Sequence, residues 1–356
     1  MDKSFEWESQ LSQQRRKVDS DNFDVTVREL VRMVTDKELE RAPVYQRQFR
    51  WDDAQESKLI ESVFLGLPVP TIYVATNSDG TWEIVDGLQR ISTLIHFVSN
   101  DKSILDSIGK DEPLRLIGLD KLDSFNNYQF SELPTPIQLS FLKRSLRITS
   151  LSDKADKNVR FDMFERLNTG GIILTPQEIR ACIYRGESVD FFRELAENPE
   201  FLKLIKLKKG NRNDGTLEEI VLKAFAYKEG RSSFKGDVKN FLTAYMGNMK
   251  GDFDYSKRRE LFNNAVKNLA NVMDGPILRP KVGWTPVNLA EGVIIAAMDL
   301  VEDGYTNFTP KDNWLSDKVL IKFSTGGTNT NKALLSRISR AKELLMGGEI
   351  SSDDSE

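Results

Sequence analysis

Trp82-Glu83-Ile84-Val85-Asp86-Gly87-Leu88-Gln89-Arg90-Ile91-Ser92-Thr93-Leu94 decides how the rest of the sequence is read. Its first half carries the strand formers Trp82, Ile84 and Val85 and ends on a carboxylate, Asp86. Gly87 then permits a backbone conformation that side chains disfavour. From Leu88 onward the apolar residues Leu88, Ile91, Leu94 and Ile95 recur at helical spacing. The stretch predicts a strand, a one-residue turn and a helix. A helix start gathers unbonded N–H groups and a partial positive charge. With Arg90, Ser92 and Thr93 nearby, an anion is the guest such a corner would take, most naturally a phosphate. Asp86 would face the same guest and could hold a metal, a water or a sugar hydroxyl. A structural reading, in which these polar residues merely cap the helix, stays open on this stretch alone.

Working outward, Thr71–Ala75 reads as a strand and Asn77-Ser78-Asp79-Gly80 as a tight turn into Thr81–Val85. A helix with Leu59, Ile60, Val63, Phe64 and Leu67 on one face precedes them, capped by Asp52 or Asp53. Further upstream, Val44–Trp51 supports two readings. It is either a strand edge with a charged face, or a phosphate- and base-binding segment in which Arg47 and Arg50 flank Tyr45, Phe49 and Trp51. Helical spacing appears over Val25–Met33, and residues 1–22 read as a polar lead-in. The alternation of strands and helices predicts a small α/β unit, in which ligands gather at strand carboxyl ends and helix starts.

Downstream, residues 101–134 look like a connecting arm, and Thr135-Pro136-Ile137-Gln138 opens a helix. Leu146–Leu151 alternates as a strand. The helix Val159–Leu167 stops at Asn168-Thr169-Gly170-Gly171, and Thr175-Pro176-Gln177-Glu178 starts the next one. Beyond about residue 185 six segments show helical spacing: Phe191–Leu195, Leu217–Tyr227, Val238–Met249, Leu261–Met273, Val287–Val301 and Ala333–Met346. Lys203, Lys206, Lys208, Lys209 and Arg212 form the dense basic cluster of this half: a solvated loop, or a DNA-backbone contact at Lys206, Lys208, Lys209 and Arg212. Residues 349–356 form an acidic tail expected to be disordered.

Composition removes several function classes. The 356 residues carry a net charge of -4, so any DNA contact must come from a local patch. No apolar run is long enough to span a bilayer, and a polar N-terminus with one cysteine, Cys182, suits a cytoplasmic protein. With His96 the single histidine, a Cys/His zinc site, an HNH nuclease, a Ser-His-Asp hydrolase and a Cys-His protease are all disfavoured. Both His96 and Cys182 read as structural. Phosphate-loop and dinucleotide signatures are absent. Chemistry must come from carboxylates, amides, arginines, hydroxyls and a bound metal.

Three spaced motifs then resemble one family. They are Tyr45-Gln46-Arg47 with Trp51; Asp86-Gly87-Leu88-Gln89-Arg90 with Thr93-Leu94; and Phe164–Gly171 with Leu174–Arg180. Together they resemble the DGQQR-motif family, which includes the ParB/sulfiredoxin-like N-terminal domain of GmrSD-type modification-dependent restriction enzymes. Leu88 stands where the family motif has a glutamine. The resemblance implies an α+β protein: a ParB-like α/β domain over residues 23–184, after a flexible lead-in at 1–22, then a helical domain over 185–346 and an acidic tail at 347–356. It implies a nucleoside triphosphate and Mg2+, with Asp86 holding the metal or the attacking water, Arg90 neutralising phosphate charge and Gln89 orienting water or phosphate. Tyr45, Gln46, Arg47, Trp51, Gly87, Ser92, Thr93, Asn168, Gly170 and Arg180 would complete the nucleotide site. The implied partners are DNA, foreign or modified, and a separate effector or nuclease subunit, with a homo-oligomer left open. Two other readings stand beside an NTPase: a non-catalytic DNA-binding or partner-recruiting protein with a nucleotide-sensing pocket, and a ParB-like DNA nickase.

Overall fold

Strands β1 (Ser20–Thr26), β2 (Leu39–Glu40), β3 (Ile72–Thr76), β4 (Trp82–Asp86) and β5 (Ser145–Leu151) form one mixed sheet in the order β1-β5-β3-β4-β2. The structure is a computed structural model that describes residues 3–15, 19–40, 51–77, 79–152, 161, 163, 165–166, 175–208, 214–249, 253–327 and 329–351. Strands β3 and β4 pair antiparallel across the expected turn, where the Gly80 amide donates to the Asn77 carbonyl at 3.0 Å. β5 runs parallel to β3 and antiparallel to β1, while β2 runs parallel to β4. The protein is α+β, and among the described residues no helix is long and apolar enough to cross a membrane.

The chain divides into two compact units, Met1–Ile173 and Leu174–Glu356. In the first, helices α1 (Lys3–Arg15), α2 (Val27–Thr35), α3 (Asp53–Leu65), α4 (Leu88–Val98), α5 (Lys102–Ser107) and α6 (Thr135–Leu142) accompany the sheet. Ile72, Val74, Ile84 and Ile148 of the sheet share one core with Ile60 and Val63 of α3 and Ile91, Leu94 and Ile95 of α4. Phe64, Phe97, Phe130 and Phe141 meet beside them at ring separations of 4.5–6.1 Å.

Two expectations need correction here. The lead-in contains α1 and the start of β1. β1 is largely exposed, so no apolar alternation announces it. It is fixed by pairing along β5 and by polar cross-strand contacts: Arg147 with Asp24 at 2.8 Å, and Thr149 Oγ1 donating to Asn22 Oδ1 at 2.7 Å. The arm at 101–134 is also packed, burying Leu105, Ile108, Leu114, Leu116 and Leu119. Polar side chains of α3 hold it, with Ser57 Oγ accepting from the Ile117 amide at 3.0 Å and Glu61 Oε1 from the Lys121 and Leu122 amides at 2.8 and 2.9 Å.

In the second unit the described residues form only helices and turns. The α-helices are Pro176–Ile183, Glu187–Ala196, Pro199–Leu204, Thr216–Gly230, Val238–Asn248, Tyr255–Asn271, Val287–Glu302, Lys318–Phe323 and Asn331–Leu345. The unit begins ahead of the boundary expected at 184/185. Helix Pro176–Ile183 joins it because Thr175 Oγ1 donates to the Asp214 carbonyl at 2.8 Å and Arg180 pairs with Glu219 at 2.7 Å. Every residue from Leu289 to Leu300 is buried, which makes Val287–Glu302 the central helix. Gly292 lets the Arg337 stem lie against that helix, since an added Cβ would sit 3.1 Å from Arg337 Cγ.

The acidic tail is ordered as far as Ser351. Asp317, fully buried, accepts from the Ser351 amide at 2.8 Å and from Arg340 at 2.7 Å, and Lys311 pairs with Glu349. Residues 352–356 lie outside the described residues.

Candidate functional site

The corner between β4 and α4 forms as the sequence predicts. β4 delivers Asp86 at its carboxyl end, and Gly87 turns the chain at φ 110°, ψ 9°. A Cβ at this position would lie 3.0 and 3.1 Å from Ile72 Cγ1 and Cγ2, so glycine is required by both backbone and space. Gly87→Ala should therefore cost about 1–3 kcal/mol, read as a lower denaturation midpoint of the first unit. An unchanged midpoint would mean that the turn relaxes freely.

Gly87 is the N-cap of the eleven-residue helix α4 and supplies no side-chain cap. Arg90 lies one turn in. Its Nη2 donates to Asp86 Oδ2 at 2.9 Å and to the Thr71 carbonyl at 3.3 Å, while its Nε is buried with no hydrogen-bond partner among the described residues. The Arg90 side chain is 14% exposed and that of Asp86 33%, so the pair is partly accessible, the carboxylate more so than the guanidinium. Gln89 accepts a hydrogen bond at Oε1 from the Trp51 amide at 3.3 Å, fastening the chain after the Tyr45–Arg47 segment to the motif. Leu88 packs against the apolar core, which gives an apolar residue a place at that position.

An uncapped helix start beside an arginine clasped by a carboxylate is a local arrangement that an anion fits. The model of the GmrSD restriction endonuclease N-terminal domain matches residues 27–185. These residues belong to the GmrSD N-terminal domain family. The chain thus carries a domain of a restriction system. No curated protein gives a significant match.

Within and beyond the GmrSD-type domain, the remaining expected site residues are distributed unevenly. Trp51, Asp86, Gly87, Gln89 and Arg90 come together. Ser92 and Thr93 are only 2% and 0% exposed. α4 is enclosed from Ile91 to Phe97, so both hydroxyls sit inside the fold. Arg180 is in the second unit, 1% exposed, with Nε donating to Gln177 Oε1 at 2.9 Å and Nη2 to Glu219 at 2.7 Å. Burial there opposes the Glu219 charge, but Lys223 and Arg180 outweigh it and hold the carboxyl below its ordinary value. Lys206 and Lys208 are exposed. Tyr45, Gln46, Arg47, Asn168, Gly170, Lys209 and Arg212 lie outside the described residues.

A cluster that sequence reasoning missed joins α3, α4 and the arm. His96 Nδ1 lies 2.7 Å from Glu56 Oε2 and its Nε2 lies 2.9 Å from the Glu112 carbonyl. Lys110 Nζ donates to Glu56 Oε1 at 2.8 Å and to Asp53 Oδ1 at 3.2 Å. Asp53, Glu56 and His96 are near enough to ligate a metal together. The Lys110 ammonium, however, already sits between the two carboxylates, bonds an oxygen of each and offsets one of their two charges. Burial opposes its charge, but Glu56 and Asp53 outweigh that and raise its pKa. The set does not fit a metal, and its chemistry is that of an ion-pair lock on the arm. It brings together residues as far apart in sequence as Asp53 and Lys110, which no local spacing signals.

Proposed function

We propose that this chain is a nucleotide-binding, NTP-hydrolysing component of a bacterial restriction system that acts on DNA, together with a partner effector. The observation that carries the reading is the uncapped start of α4 beside Arg90, whose guanidinium is held in place by Asp86 and the Thr71 carbonyl. Helix-start amides and a fixed guanidinium are the groups that phosphoryl transfer uses to bind and neutralise phosphate oxygens.

The division of labour follows from position. Arg90 carries the phosphate charge, with Nε and Nη1 not engaged by any described residue. Gly87 lets the backbone approach the phosphates. Asp86, a third exposed, offers Oδ1 to hold the attacking water while Oδ2 anchors Arg90. Water adds to the terminal phosphorus, the bond to the bridging oxygen breaks, and nucleoside diphosphate and phosphate leave. One carboxylate fits Mg2+ only when substrate phosphates supply further ligands, and Asp86 with a bound triphosphate would be such a set. The metal would add neutralisation of phosphate charge. Gln89 keeps the Trp51 segment against the site. The family resemblance adds Tyr45, Gln46, Arg47, Asn168 and Gly170 as nucleotide contacts. Ser92 and Thr93 are given no contact with the ligand. Phosphate release from ATP, GTP and CTP, with magnesium and with or without DNA, tests the reading.

A further inference from the structure

The helical unit carries an exposed aromatic that the sequence reading passed over. Segment 204–208 runs beside 277–285: the Ile277 amide donates to the Leu204 carbonyl and the Thr285 amide to the Lys206 carbonyl, both at 2.8 Å. The Lys206 amide in turn donates to Thr285 Oγ1 at 2.8 Å, and Thr285 is buried. This ladder fixes Trp284 next to the basic segment. Its ring remains 44% exposed, with Lys208 Nζ seated 4.1 Å from the ring centroid. Lys206 and Lys281 are exposed as well, and among the described residues none of the three ammonium groups is held in an ion pair. Beside the indole, an added Cβ at Gly283 would meet nothing within 4 Å.

An exposed indole usually finds cover, and a lysine over it gives only part. What suits an aromatic face with a lysine over it and exposed lysines on the flanking segments is a flat, electron-rich ring on an anionic chain. We infer that Trp284, with Lys206, Lys208 and Lys281, is a stacking platform for an unpaired base of single-stranded or locally opened DNA. The base stacks on the indole and the flanking phosphates lie on the lysines. Paired bases in an intact duplex keep their faces covered, so the platform favours single strands. This rests on the reading that the chain acts on DNA, and it names where and how.

The test uses the full chain and fluorescein-labelled oligonucleotides of one sequence, single- and double-stranded, titrated by anisotropy at several salt concentrations. Wild type should bind the single strand more tightly. Trp284→Ala should weaken single-strand binding at least about tenfold while leaving its salt slope unchanged. Trp284→Phe, which keeps an aromatic face, should retain most of the affinity. The double variant Lys206→Gln with Lys208→Gln should reduce the salt slope by about 1.4, two single-strand phosphate contacts. Single-strand binding by wild type that both variants leave unchanged overturns the platform while the DNA reading stands. Equal losses on duplex and single strand overturn stacking. Displacement of DNA by polyglutamate at equal charge concentration overturns nucleic acid as the partner. No binding of either oligonucleotide removes the DNA reading and this inference together.

Discussion

Arg90→Ala should lower magnesium-dependent phosphate release at least about 100-fold and leave the protein folded. The rate effect follows from what the side chain is positioned to do. A guanidinium fixed at the start of α4 would meet developing phosphate charge without having to reorganise, which is where most of such a stabilisation comes from. The small effect on folding follows from the surroundings. The Arg90–Asp86 pair is only partly buried, and the carboxylate left behind is a third exposed and can be hydrated. Arg90→Lys should recover only part of the rate, because a point charge cannot reach Asp86, the Thr71 carbonyl and a phosphate together. A variant with wild-type turnover would reduce Arg90 to a clasp between β4 and residue 71.

Glu291→Ala should destabilise the helical unit by about 3–5 kcal/mol. Glu291 is 1% exposed on the central helix, with Oε1 3.1 Å from Lys223 Nζ and Oε2 3.0 Å from Arg337 Nη2. Arg337 is itself 1% exposed and Lys223 only 11%. Glu219 lies 3.1 Å on the other side of Lys223, so Glu291 is one of two carboxylates facing three cations, Arg180, Lys223 and Arg337. Deleting it removes the anion that two buried cations are packed against. Denaturant titration followed by helical circular dichroism checks the size of the effect. The double variant Glu291→Met with Arg337→Met should recover most of the loss, since apolar replacement of a whole buried pair is close to neutral. A cost under about 1 kcal/mol for Glu291→Ala would show that water screens the network after all.

Legibility in the sequence tracked how local the determining physics is. The turn at Asn77–Gly80, the strand before Asp86 and the helix from Leu88 were readable because backbone preference and apolar spacing agree there over a few residues. So was the turn at Gly87, whose positive φ is set locally, whereas the crowding by Ile72 comes from another strand. β1 was not readable, because an exposed edge strand rich in Asp and Asn owes its existence to β5, more than a hundred residues away. The same holds for Glu83, a carboxylate with 0% exposure in the middle of β4, which the count of strand formers passed over. Ser92 and Thr93 were expected near the anion because they are close to it along the chain. A helix enclosed from Ile91 to Phe97 instead carries them into the fold. Arg180 was grouped with the motif by sequence likeness, and its burial against Glu219 depends on a second helix that no spacing relates to its own.

The corner at Asp86–Arg90 is proposed to turn over nucleotide. Its most direct test is phosphate release by the wild-type chain, with ATP, GTP and CTP offered in turn, with magnesium and then with a chelator, and with or without DNA. The account predicts release from at least one triphosphate that stops when magnesium is removed. Absence of release from all three, with DNA present, would contradict it.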